Sequence, residues 1–155
     1  MSESIRLSAR EQERRHLEHK LIENLRASRS DLNQLFEESC SHWGYEDLIY
    51  RFYHQSFKVY FIQSVTSKIV ESLRALLPGR PLNTWFEQIL AEGTGKQFEM
   101  EHNENWLETT RPMLEAFFHA RYFLEMACRY ANEFEEPPQT LPSGWASLLY
   151  LYDLR

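Results

Sequence analysis

Residues 111–135 read RPMLEAFFHARYFLEMACRYANEFE, and their pattern is typical of one long helix. Apolar residues recur there at alternating steps of four and three, which lines up one side of an α-helix: Met113, Phe117, Ala120, Leu124, Ala127, Ala131 and Phe134. Further apolar side chains spread around nearly the whole circumference. A surface helix would be polar on its other faces. We therefore expect other helices, or a partner subunit, to cover this central helix on several sides.

The rest of the chain predicts further helices and hence an all-α, compact helical bundle of about five helices. The first helix begins near Ser8, because Ser8 and Glu11 have the spacing of a capping box. It either continues past Ser28 or restarts at the serines there. Its early turns are almost wholly charged. We therefore expect residues 1–16 to be a charged N-terminal extension that frays, and residues 17–155 to form one helical-bundle domain.

Proline and glycine set the remaining boundaries. The second helix spans about residues 46–77 and ends where Pro78-Gly79-Arg80-Pro81 interrupts the backbone hydrogen bonds. The third spans residues 82–92, and we expect Gly93 to end it. Asn105 and Glu108 have the spacing of another helix start, and we expect Pro112 to kink or reset the helix that follows. A last short helix over residues 143–154 completes the bundle.

Composition excludes several classes of protein. A formal charge of −6 over 155 residues argues against a general nucleic-acid binder, whose affinity comes mainly from neutralising phosphates. The two cysteines are too few for a disulfide framework. The charged start offers no signal-peptide core, and no apolar run is long enough to span a bilayer. We interpret the chain as a cytoplasmic protein that does not enter membranes.

An ionisable ladder on the central helix is the first candidate for chemistry. Arg111, Glu115 and His119 follow at successive four-residue steps, so their side chains are neighbours on the helix surface. The surrounding aromatic residues favour desolvation, which would shift their pKa values and make these residues candidates for acid–base catalysis. The alternative is that they form ordinary intrahelical ion pairs.

Two further places are candidates for ligand binding. Arg51 and His54 share one side of the second helix, among tyrosines and phenylalanines that suit an anion or a stacked ring. Lys96 lies in a polar irregular stretch that resembles a phosphate-binding loop. That stretch lacks the upstream glycine and the hydroxyl residue after the lysine, so a phosphate loop is not predicted.

Metal binding is not predicted, and no cofactor is indicated. Carboxylate-bridged di-metal bundles use two Glu-x-x-His pairs that point inward. Glu13 with His16 and Glu99 with His102 have this spacing. Neither pair lies on a periodic apolar stripe, so the sequence gives no support for inward projection.

The last helix carries an excess of apolar surface. Residues 145–152 read WASLLYLY and have almost no polar face. Such a helix either fills a groove in its own domain or docks onto a second copy. A symmetric dimer is the commonest way to cover such a surface. We predict an interface that includes Phe118, Tyr122, Trp145, Leu149 and Tyr152.

These observations lead to two functional hypotheses. The first is an oligomerising protein-interaction or scaffolding module, a homodimer in its simplest form. The alternative is a small ligand-binding bundle, or an enzyme that uses Arg111, Glu115 and His119, with Arg51, His54 and Lys96 as further ligand contacts. The sequence names no substrate or partner for either.

Overall fold

The computed structural model of the chain describes residues 8–41, 59–94, 106–134, 136 and 138–154. Six α-helices lie within these residues: α1 (Ala9–Ala27), α2 (Arg29–Phe36), α3 (Val59–Leu76), α4 (Thr84–Thr94), α5 (Trp106–Glu133) and α6 (Trp145–Leu151). A π-helical turn, Glu37–Ser41, continues α2. No strand occurs in the described part of the chain, so the predicted all-α helical bundle is confirmed.

The first two helices separate at a serine. Ser8 caps α1, and its Oγ accepts a hydrogen bond from the backbone N–H of Glu11 at 3.2 Å, as the capping-box spacing predicts. Ser28 leaves the helical conformation, with φ −97° and ψ 7°. A new helix, α2, therefore begins after it, which is one of the two possibilities that the sequence left open. Residues 8–16 are exposed, and Leu21 is the first buried residue of the described chain. The division into an extension and a domain at residue 17 stays a prediction.

The central helix α5 is packed against all five other helices. It begins at Trp106, in agreement with the start predicted from Asn105 and Glu108, and Pro112 lies inside it without ending it. The predicted apolar row is buried along its whole length, from Met113 to Phe134. One side of α5 still faces solvent, where charged residues such as Glu115, Glu125 and Arg129 are exposed. Neighbouring helices of the same chain therefore cover most of the apolar surface that the sequence indicated.

The prediction that Gly93 ends the third helix is wrong, because α4 continues to Thr94. Gly93 is buried where α4 crosses α5. A Cβ atom added at Gly93 would lie 2.7 Å from the Cβ of Ala116 and 2.8 Å from the carbonyl oxygen of Pro112. The glycine is thus required for the close approach of two helices, a role that its position near a helix end concealed.

The last helix α6 fills a groove in its own bundle. The side chains of Trp145, Leu148, Leu149 and Tyr152 are all buried. The Tyr152 hydroxyl donates a hydrogen bond to the Leu73 carbonyl at 2.6 Å, and burial raises the pKa of Tyr152 above its ordinary value. Of the two placements that the sequence left open for this helix, packing within the chain is the one observed.

Candidate functional site

An open groove lies between α4, α5 and α6, and we call it the aromatic groove. Its volume is about 720 Å³, and Trp85, Phe118, His119, Tyr122, Phe123, Ala146, Ser147 and Tyr150 line it. This volume falls within the roughly 300–1,000 Å³ of small-molecule sites in proteins. Six of the eight lining residues carry aromatic rings, so the walls of the groove are largely aromatic.

Helix α4 contributes Trp85 to the groove, because its neighbour Phe86 points into the core. Consecutive side chains on a helix point in directions about 100° apart, so two neighbouring aromatic residues cannot both enter the same core. Phe86 is fully buried and packs edge-to-face against Phe123 at 5.3 Å between ring centroids. Trp85 is turned outward, is 44% exposed, and meets the ring of His119 edge-on at 4.9 Å.

Helix α5 supplies the floor and one rim. Phe118 and Tyr122 are four residues apart, as are the positions of His119 and Phe123, so both pairs share one face of the helix. Phe123 is buried beneath the groove, whereas Tyr122 on its rim is 51% exposed. The rings of Tyr122 and Phe123 meet edge-to-face at 5.4 Å. The floor is therefore fixed by the core, while the rim is accessible to a ligand.

Helix α6 forms the opposite wall with Ala146, Ser147 and Tyr150. Its last turn is held against the start of α4, because the Asn83 side chain donates to the Tyr150 carbonyl at 3.0 Å and the Asn83 N–H donates to the Leu151 carbonyl at 2.8 Å. The rings of Trp85 and Tyr150 lie 6.5 Å apart. Two hydrogen bonds from Asn83 thus hold these two walls together.

The groove contains no permanently charged lining residue. None of the described residues that line it is Asp, Glu, Lys or Arg. Its polar groups include the imidazole of His119 and the hydroxyls of Ser147, Tyr122 and Tyr150. Each of these can donate or accept a hydrogen bond without carrying a charge.

The predicted ladder of Arg111, Glu115 and His119 is only partly gathered at this groove. Arg111 and Glu115 are exposed, whereas His119 is half-buried and lines the groove. Elsewhere on α5, Arg129 forms an exposed ion pair with Glu133 at 3.2 Å. Exposed pairs of this kind contribute little to stability. A shared catalytic role for the three ladder residues stays a prediction.

The predicted ligand contacts Arg51, His54 and Lys96 lie outside the described residues, as do Glu99 and His102. Glu13 and His16 are exposed near the start of α1. In the described ranges, no group of three His, Cys, Asp or Glu side chains is placed to hold a metal ion.

The five predicted interface residues fall into two groups. Phe118 and Tyr122 line the aromatic groove. Trp145, Leu149 and Tyr152 are 2%, 4% and 0% exposed and belong to the core of the chain. A partner that docks on this surface would therefore reach the first group and not the second.

The sequence analysis missed Trp85, Ser147 and Tyr150 as groove residues. Trp85 carried a usable signal, since it stands next to Phe86 on a short helix and only one of the two can face the core. For Ser147 and Tyr150 the sequence contains no comparable signal. Their place depends on how α6 packs across α4 and α5, which is set by contacts distant in sequence.

Comparisons with known proteins give no relative from which a function could be transferred. No family model, no curated protein and no solved structure matches this chain. Among the described helices, none is both long and apolar enough to cross a membrane.

Proposed function

We propose that this chain binds a small apolar ligand in the aromatic groove. The observation that supports the proposal is an open volume of about 720 Å³ with largely aromatic walls, in which none of the described lining residues is permanently charged. Small-molecule sites are concave and mostly apolar, with a few polar groups that orient the ligand. His119 and Ser147 would supply those polar groups. Binding of this kind needs no contribution from Arg111 or Glu115, so the proposal does not include catalysis.

A groove-filling substitution tests this proposal. Ala146 is exposed on α6 and lines the groove, so Ala146→Trp is expected to fill it without disturbing the core. The matched control is Ala91→Trp, at an exposed position of α4 that does not line the groove. The probe is the neutral dye N-phenylnaphthylamine, whose fluorescence rises when it enters an apolar site. We expect saturable binding to the wild type and to the control, and a loss of at least about tenfold in affinity for Ala146→Trp.

Two results would contradict the proposal. One is the absence of saturable dye binding to the wild type. The other is equal affinity of Ala146→Trp and Ala91→Trp, because the dye would then bind elsewhere. A native mass spectrum of the gently purified protein provides an independent test, since it reports a retained ligand directly.

The second candidate is a cytoplasmic protein-interaction module that oligomerises through the same surface. It is favoured by the exposure of Trp85 and Tyr122, since exposed aromatic residues of these types carry much of the binding energy in protein interfaces. The exposed patch is small, because Trp85 and Tyr122 are the exposed large aromatic residues in the described part of the chain. A stable dimer usually buries about 800 Å² on each partner. This candidate therefore needs additional surface beyond the groove.

Sedimentation velocity over a range of protein concentrations tests the second candidate. Tyr122→Asp is expected to dissociate an oligomer that uses the groove. Leu141→Asp is the matched control, because Leu141 is 42% exposed but does not line the groove. A wild-type chain that stays monomeric at all concentrations would count against the oligomer, as would equal effects of the two substitutions.

A further inference from the structure

We infer that the ligand of the aromatic groove is a neutral, planar aromatic molecule. This inference rests on the proposed function and adds the chemical class of the ligand. Its first basis is charge. A charged ligand loses hydration when it enters an apolar site, and this loss is offset only if an opposite charge is present. Apart from His119, none of the described lining residues is acidic or basic, so they offer such a ligand no carboxylate, ammonium or guanidinium partner.

The second basis is the arrangement of the rings. Trp85 and His119 meet at an interplanar angle of 80°, and Tyr122 and Phe123 meet at 72°. Rings at such steep angles present both faces and edges along one surface. Aromatic pairs favour edge-to-face and offset-stacked contacts, which contribute about 0.5–1.5 kcal/mol beyond area burial. A planar ring can make both kinds of contact in this groove, whereas a saturated ring of the same size gains only from burial.

The third basis is the set of polar groups. The imidazole of His119 and the hydroxyl of Ser147 come from different walls of the groove. Each can exchange a hydrogen bond with a neutral substituent such as a hydroxyl or carbonyl group. We therefore expect the ligand to carry at least one such substituent on its aromatic ring.

An aromatic cation is the strongest competing ligand class. Aromatic faces attract cations, and cages of such rings bind quaternary ammonium groups. Those sites depend on several ring faces that surround one point. In this groove two ring pairs are T-shaped, so in each pair the edge of one ring covers a face of its neighbour. The test therefore has to include a cation on the same scaffold as the neutral ligand.

Four probes with the same two-ring carbon skeleton separate these classes by isothermal titration calorimetry on the full chain. They are neutral β-naphthol, anionic β-naphthoate, cationic naphthylmethyl-trimethylammonium, and saturated decahydronaphthol. We expect β-naphthol to bind at least about tenfold more tightly than each of the other three. If the cation, the anion or the saturated alcohol binds as tightly as β-naphthol, the inferred ligand class is wrong while the groove remains a binding site. If no probe and no dye binds, the proposed function itself fails.

A pair of substitutions assigns the selectivity to the groove. Tyr122 is an exposed rim residue, so Tyr122→Leu removes a ring while keeping apolar area and fold. We expect Tyr122→Leu to reduce the preference for β-naphthol over decahydronaphthol by several-fold, and Tyr122→Phe to restore it. Circular dichroism and thermal unfolding serve to verify that both variants are folded. An unchanged preference in Tyr122→Leu would overturn the assignment of the ring contacts to this rim.

Discussion

The side-chain amide of Asn83 donates a hydrogen bond to the Tyr150 carbonyl at 3.0 Å and thereby joins the start of α4 to the last turn of α6. Its Oδ1 accepts a hydrogen bond from the Phe86 N–H at 2.7 Å, which caps α4. Asn83 is only 2% exposed, so neither group has water as an alternative partner. One buried side chain thus holds two helices that form opposite walls of the aromatic groove.

The first prediction concerns this residue. Asn83→Ala is expected to lower the free energy of unfolding by about 1–3 kcal/mol, because it removes a helix cap and the side-chain hydrogen bond to the Tyr150 carbonyl. Asn83→Ser keeps a capping oxygen but is too short to reach Tyr150, so we expect a smaller loss. Urea denaturation monitored by circular dichroism measures both. Equal stability of Asn83→Ala and wild type would mean that the two side-chain hydrogen bonds of Asn83 do not stabilise this junction.

The second prediction concerns Gly93, where the sign of the effect is informative. In an open helix interior, Gly→Ala stabilises by about 0.5–1 kcal/mol. At Gly93 the new methyl group would meet Ala116 and the Pro112 carbonyl at less than 3 Å. We therefore expect Gly93→Ala to destabilise by about 1–3 kcal/mol through overpacking. Gln88→Ala, at an exposed position of the same helix, is the control and should have little effect. Stabilisation by Gly93→Ala would refute the close crossing of α4 and α5.

The sequence predicts much of this fold because its strongest signals are local. The period of the apolar residues in α5, the cap at Ser8 and the break at Pro78 each depend on residues only a few positions apart. The role of Gly93 depends on a second helix instead. A glycine near a predicted helix end is usually interpreted as the residue that ends the helix. Only the crossing of α4 and α5 shows that Gly93 makes room for Ala116.

The candidate site was less predictable than the fold. The ladder spacing on α5 brought His119 into consideration, and His119 lines the groove. The spacing alone could not distinguish His119 from the exposed Arg111 and Glu115. That distinction requires the positions of α4 and α6, because Trp85 and Tyr150 form the other walls of the site. Residues from different helices that meet only through packing have no characteristic spacing in the sequence, so a sequence pattern cannot identify them.

The third prediction compares two adjacent residues of α4. Phe86 is fully buried, so Phe86→Ala is expected to lower the free energy of unfolding by about 3–5 kcal/mol. Trp85 is 44% exposed and has an edge contact with His119, so Trp85→Ala should cost only about 0.5–1.5 kcal/mol. Chemical denaturation of both variants gives the comparison. If both substitutions cost the same, Trp85 belongs to the core and the groove is not open as described.

The last prediction concerns alkaline pH. Burial raises the pKa of Tyr152 above the ordinary value of 10.0, while the unfolded chain ionises this tyrosine near that value. Above pH 10 the unfolded chain releases the Tyr152 proton, whereas the folded chain keeps it. The contribution of the neutral hydroxyl to stability is therefore fully present below pH 10 and is lost as the pH rises above 10. The free energy of unfolding should then fall by about 1.4 kcal/mol per pH unit from this one group.

Tyr152→Phe tests that mechanism. At neutral pH it should cost about 1 kcal/mol, because the hydrogen bond to the Leu73 carbonyl is lost. Above pH 10 the variant should lose stability less steeply than the wild type, since the phenylalanine has no proton to release. Phe86→Leu is the control, because it lowers stability without removing an ionisable group and should keep the wild-type slope. Urea denaturation at a series of alkaline pH values measures the three slopes. A Tyr152→Phe slope equal to that of the wild type would show that another group governs alkaline unfolding.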